Sequence, residues 1–134
     1  MTSKKNLWGE LPTAETIRTP YTILKEQGSV LSEITNGLLI GEVVVNNQRD
    51  NFFDLILRIK APALNNYTYS VVEVRQPIQL YPVTITNLLG HTVIGKYPSE
   101  EEFENALGEI LSSPEVKQVI SGLLAQIHAD IPQQ

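Results

Sequence analysis

The apolar positions of this chain change their period twice. Ile23, Leu24, Val30, Leu31 and Ile34 recur at helical spacing and form one apolar face. Thr19 followed by Pro20 supplies an N-cap hydroxyl and a proline at the first helical position, and Asn36-Gly37 is a matching stop, so the spacing predicts a helix over 20–35. Gln27 and Gly28 interrupt it. A glycine inside a helix costs about 1 kcal/mol relative to alanine, which is tolerated where that turn packs closely against another element. Close packing is therefore the expectation for Gly28.

From Leu38 to about Tyr97 the period becomes two and the composition turns to Val, Ile, Leu, Tyr, Thr and Phe, which suits strands. The predicted strands are 38–45, 52–60 and 67–76, separated by the short polar links 46–51 and 61–66. Links of that length imply hairpins and an antiparallel meander. Pro77 punctuates before 78–86, where Pro82 cannot donate to a ladder and marks an edge or irregular strand. Asn87 to Gly90 then turns into a short final segment, 91–96.

The helical period returns at the end. Ser99 with Glu102 three residues on is a capping box, followed by an apolar face of Phe103, Ala106, Leu107, Ile110 and Leu111. Ser113-Pro114 opens a second helix whose stripe includes Val116, Val119, Ile120, Leu123, Leu124 and Ile127. Residues 1–18 show no clean period and form an irregular arm in which Leu7, Trp8 and Leu11 are the groups able to anchor it. Docking of Trp8 into its own domain is the expected outcome, because a large aromatic gains more on burial than a flexible arm loses in entropy. The resulting fold class is α+β, a single domain over 1–134: an antiparallel meander of four to five strands, preceded by one helix and followed by two packed on or beside the sheet.

Composition narrows the function more than it identifies it. At 134 residues, 42% hydrophobic and 19% charged, the chain is long and apolar enough for a packed core. Net charge is −5 and the ten Lys and Arg are scattered, which argues against nucleic acid as a partner. The absence of cysteine excludes disulfides, thiolate metal sites and a cysteine nucleophile. No apolar stretch suits a signal peptide or a membrane span, so the expectation is a cytoplasmic protein without membrane contact.

The sharpest chemical pattern is Gly90-His91-Thr92-Val93-Ile94-Gly95-Lys96, which has the glycine and lysine spacing of a phosphate-binding loop. That loop requires Ser or Thr next, to hold magnesium, and a helix starting at the lysine. Here Tyr97 follows, Pro98 and the Ser99 cap delay the helix, and the β-branched Thr92, Val93 and Ile94 favour extended backbone. A turn leading into a last strand accounts for the same residues. His91 and His128 lie on different elements without metal-ligand spacing. No Gly-x-Ser-x-Gly elbow is present, and Glu100, Glu101 and Glu102 form the acidic first turn that a helix N-terminus prefers. No metal, cofactor or catalytic residue is expected.

The remaining candidate is the second face of the sheet. In 52–60, Phe53, Leu55, Leu57 and Ile59 fill one side, while Phe52, Asp54, Ile56, Arg58 and Lys60 fill the other. Counting by two along 67–75 places Tyr67, Tyr69, Val71, Glu73 and Arg75 together on that second side, where Glu42, Asp54, Arg58, Glu73 and Arg75 are able to pair across strands. Aromatic residues and arginine are enriched at protein interfaces. The sequence therefore points to a non-catalytic interaction module or small homo-oligomer, with Trp8, Phe52, Ile56, Arg58, Tyr67, Tyr69 and Arg75 as its surface. The alternative is a small-molecule or phosphate-ligand binder with a cleft near His91, Lys96 and Tyr97.

Overall fold

A computed structural model describes residues 4–11, 18–49, 51–89 and 92–129. Helix α1 spans Pro20–Ile34 and is capped as its sequence requires, with the Thr19 hydroxyl accepting from the Thr22 N–H at 3.1 Å. Its exit is a Schellman turn: Asn36 adopts φ +53, and the N–H groups of Asn36 and Gly37 donate to the carbonyls of Glu33 and Ser32. Thr35 fastens the turn, donating to the Leu31 carbonyl at 2.8 Å and accepting from the Leu39 N–H at 3.1 Å.

Five strands follow: β1 (Ile40–Arg49), β2 (Phe52–Ala61), β3 (Tyr67–Pro77), β4 (Val83–Asn87) and β5 (Thr92–Tyr97). They pair antiparallel in sequence order, so the sheet is a plain meander. Helices α2 (Glu100–Leu111) and α3 (Pro114–His128) complete the chain, capped by the hydroxyls of Ser99 and Ser113. Among the described residues no helix is long and apolar enough to cross a membrane.

Two of these boundaries differ clearly from the sequence reading. The first hairpin turns later, beyond Arg49, because a bulge between Asn46 and Arg49 lets the polar link 46–49 continue the strand, and Asn51 takes the left-handed conformation at φ +68. Residues 78–82 are a turn rather than the start of β4. There Leu80 sits at φ +81, the Tyr81–Pro82 peptide is cis, and the Ile78 N–H donates to the Asn51 carbonyl instead of a ladder partner. Pro77 is the last residue of β3, in keeping with a stop at that proline.

All three helices contribute to one core. Ile23 and Leu24 of α1 meet Leu55, Leu57 and Ile59 of β2, Val72 and Val74 of β3, Val83 and Ile85 of β4, and Phe103, Leu107, Val116 and Leu123 of the last two helices. Gly28 does what a mid-helix glycine is kept for. A Cβ added there would meet the Gly41 carbonyl oxygen at 2.7 Å, and one added at Gly41 would meet the Gly28 Cα at 2.3 Å. Helix α1 thus rests backbone to backbone on β1, with no side chain between them.

Candidate interaction surface

Residues directly opposed across antiparallel strands share a face, so the register assigns every strand position. On the helix-bearing side Gly41 opposes Ile59, Val43 opposes Leu57, and Val74 opposes both Leu55 and Ile85. On the other side Val44 opposes Ile56, Glu42 opposes Arg58, Arg75 opposes Asp54 and Thr84, and Thr84 opposes Lys96. No described side chain of this outer face is fully buried, while the helix-bearing face holds the core. Among the described residues the sheet is covered on one side only.

The outer face is ordered by its own charges. Arg58 Nε donates to Glu42 Oε1 at 2.9 Å, and Lys60 Nζ lies 3.7 Å from the second oxygen of the same carboxylate. Arg75 grips Asp54 with two bonds, 2.8 and 3.3 Å, and its guanidinium stands 5.7 Å from the centre of the Phe52 ring. Such half-exposed pairs contribute roughly 0–1 kcal/mol each to stability. On the same face they stand beside Val44, Ile56 and Phe52, an apolar strip framed by paired charges.

Two of the expected surface residues belong to the opposite face. Leu57 opposes Val72 but Arg58 opposes Ser70, so Val71 is an extra residue in β3 and the alternation shifts by one. Val71 turns into the core at 2% exposure. Beyond it Tyr69 opposes Ile59 and Tyr67 opposes Ala61, which puts both tyrosines on the helix-bearing side, where Tyr69 packs against the core near α3. Phe52, Ile56, Arg58 and Arg75 stay on the outer face as expected, joined by Ile40, Val44 and Val93. Ile40 and Val44 were readable as period-two positions, whereas Val93 reaches this face only because Ile94 is an extra residue in β5.

Trp8 stands apart from both faces. It is 82% exposed, held at the tip of a small turn in which its N–H donates to Asn6 Oδ1 at 2.9 Å and the Asn6 amide donates to the Gly9 carbonyl at 3.2 Å. The expected docking into its own domain is not seen in this conformation.

Among the described residues of the alternative site, Lys96 and Tyr97 do not share a cleft. Residues 92–97 are a strand paired to β4, so their amides serve a ladder rather than a phosphate cradle. Lys96 is exposed on the outer face, whereas Tyr97 opposes Val83, packs against the core and brings its hydroxyl to within 3.2 Å of where a Gly95 Cβ would lie. Lys96 and Tyr97 thus point to opposite sides. Gly90 and His91 lie outside the described residues. His128 is exposed in the last turn of α3, and among the described residues no cluster of His, Cys, Asp or Glu is arranged to hold a metal ion.

Sequence reasoning also missed an ionic clip on the helix side. Arg18 reaches Glu26 of α1 and Glu104 of α2, with Glu100 at 3.1 Å, and its carbonyl accepts from the Tyr81 hydroxyl at 3.4 Å. The bonds to Glu104 and Glu26 hold the guanidinium charged. Burial pushes the Tyr81 hydroxyl from 10.0 up to about 12, with the Glu100 and Glu104 carboxylates adding to the effect. The native state thus keeps a proton that the unfolded chain releases near pH 10, so this contribution is intact below pH 10 and lost as pH rises toward 12. We expect the denaturation midpoint to fall across that window, and to fall less steeply in Tyr81→Phe. Equal slopes for the two proteins would remove Tyr81 as a source of alkaline sensitivity.

None of the protein families, curated proteins or solved structures compared with this chain matches it.

Proposed function

We propose that this protein is a non-catalytic interaction module of the cytoplasm that self-associates, outer sheet face against outer sheet face. The observation that carries the reading is the one-sided sheet, whose uncovered face presents Val44, Phe52, Ile56 and Val93 among paired charges. Charge distribution selects a second copy as the partner. On this face Arg58, Lys60, Arg75 and Lys96 stand against Glu42, Asp54 and Glu73, a near balance in a chain of net charge −5. The acidic excess lies in the helix layer, above all on α2 with Glu100, Glu101, Glu102, Glu104 and Glu109 and no basic residue.

Two copies apposed through their sheets keep those acidic layers outermost and far apart, whereas any contact through the helices brings like charges together. A patch carrying both signs is self-complementary about a two-fold axis. The size is adequate too. Strands at ~4.8 Å spacing and ~3.3 Å per residue make a face of roughly 600–700 Å². That is comparable with the ~800 Å² per partner of a standard interface.

The test is Ile56→Lys, alone and with Val44→Lys. Both side chains are only partly buried in the single chain and lie outside its core, so we expect its thermal midpoint to change far less than association does. Retention of the associated state in the double variant would place the contact elsewhere.

A further inference from the structure

The helix-bearing face has one end that α1 does not cover. Helix α1 begins at Pro20, and beside its N-terminus Thr19, Tyr21, Val45, Phe53, Leu55 and Gln76 line an open pocket of about 330 Å³. Its walls are mostly apolar, and Val45 is 52% exposed there although it faces the core side of the sheet. Gln76, opposite Phe53, is the exception: it is buried to 7% exposure, and its carboxamide oxygen has no hydrogen-bond partner among the described residues. A buried acceptor left without a donor costs about 1–3 kcal/mol. That oxygen is closed off from solvent, so an occupant that is aromatic, flat and carries a single donor satisfies both features once the Gln76 carboxamide turns toward the pocket.

The chain carries one such group. Trp8 is its only tryptophan, and an indole is an apolar body with one N–H donor and no acceptor. The Asn6–Gly9 turn already presents that ring outward at 82% exposure, with Leu7 equally exposed beside it. The arm also ends in the right place, since the chain returns at Arg18 and Thr19, and Thr19 is part of the pocket rim. Ten residues separate Trp8 from Thr19, a span of up to roughly 33–36 Å, ample for the ring to fold back onto the pocket.

We propose that this pocket is the docking site of the chain's own Trp8, the indole lying on Val45, Phe53 and Leu55 and donating its Nε1–H to the Gln76 carboxamide oxygen. The inference is independent of the outer-face reading, because the pocket lies on the other side of the sheet. Docking covers the apolar end of the core and satisfies the buried acceptor at once.

Fluorescence of the single tryptophan reads this contact directly. In the intact chain we expect emission shifted to the blue of a peptide of residues 1–11, and several-fold weaker acrylamide quenching, unchanged over a concentration series. A double-mutant cycle tests the hydrogen bond: Trp8→Phe should lower the denaturation midpoint of the wild-type chain and leave that of Gln76→Leu unchanged. Val45→Arg, at the exposed rim, should restore peptide-like quenching, and it serves as the second variant if Gln76→Leu fails to fold. Peptide-like emission and quenching in the wild-type chain would overturn the proposal, as would an equal midpoint change in both backgrounds. Burial of Trp8 that appears only as the mass doubles would overturn docking onto its own chain and assign the arm to a second copy.

Discussion

Gly28→Ala should destabilise this protein, although alanine is the better helix former. Propensity alone favours the substitution by about 1 kcal/mol. Packing opposes it, because the new Cβ would lie 2.7 Å from the Gly41 carbonyl oxygen and 3.0 Å from its carbonyl carbon, both backbone atoms of β1 that have no rotamer to change. Either α1 lifts from the sheet or β1 bends away, and overpacking of this kind costs roughly 1–3 kcal/mol. The clash is tighter from the other side, so Gly41→Ala, with its Cβ 2.3 Å from the Gly28 Cα, should lose at least as much. Urea midpoints give both values at constant m. A Gly28→Ala protein as stable as wild type would mean that α1 rides on β1 loosely, contrary to the contact described.

Phe103→Ala should be the most damaging truncation in the helix layer. The ring is fully buried, and it is the largest side chain of that kind in the core. Helix α2 holds the sheet through Phe103, Ala106, Leu107 and Ile110 and meets water with its glutamates, so the aromatic anchor has no substitute nearby. Phe→Ala losses at buried positions run at about 3–5 kcal/mol. We expect a loss in that range with the native α-helical signal retained below the midpoint. A loss of under ~1 kcal/mol would show that the neighbours collapse into the space.

Much of this architecture is legible in the sequence because its signals are local. Thr19-Pro20, Ser99 with Glu102 and Ser113-Pro114 each mark a helix start correctly, since a cap is decided by a hydroxyl and the amides two or three residues away. The Asn36-Gly37 stop is equally local. Gly28 was readable as a close approach, though the identity of its partner, Gly41, was not. The meander followed from link length alone.

What failed was register. A bulge is one residue inserted against a partner strand, and nothing near Val71 announces it, because Val71 and Val72 both suit a strand. Counting by two therefore carried Tyr67 and Tyr69 to the wrong side while placing Glu73 and Arg75 correctly. A further bulge, at Ile94, shifts β5 in the same way. The 78–82 turn was missed because Ile78 and Leu80 have strand-like side chains, and the deciding facts, a left-handed Leu80 and a cis Tyr81–Pro82 bond, are backbone properties set by the turn as a whole. Likewise the Arg18 clip joins residues more than eighty positions apart, a proximity that only the fold creates.

The proposed function depends on a second copy meeting the outer face of the sheet. Its most direct test is the mass of the full chain by light scattering over a concentration series. We expect a mass approaching twice the 14.9 kDa of the chain, falling to one copy in the Val44→Lys, Ile56→Lys double variant. A wild-type chain that remains a single copy at every concentration would contradict it.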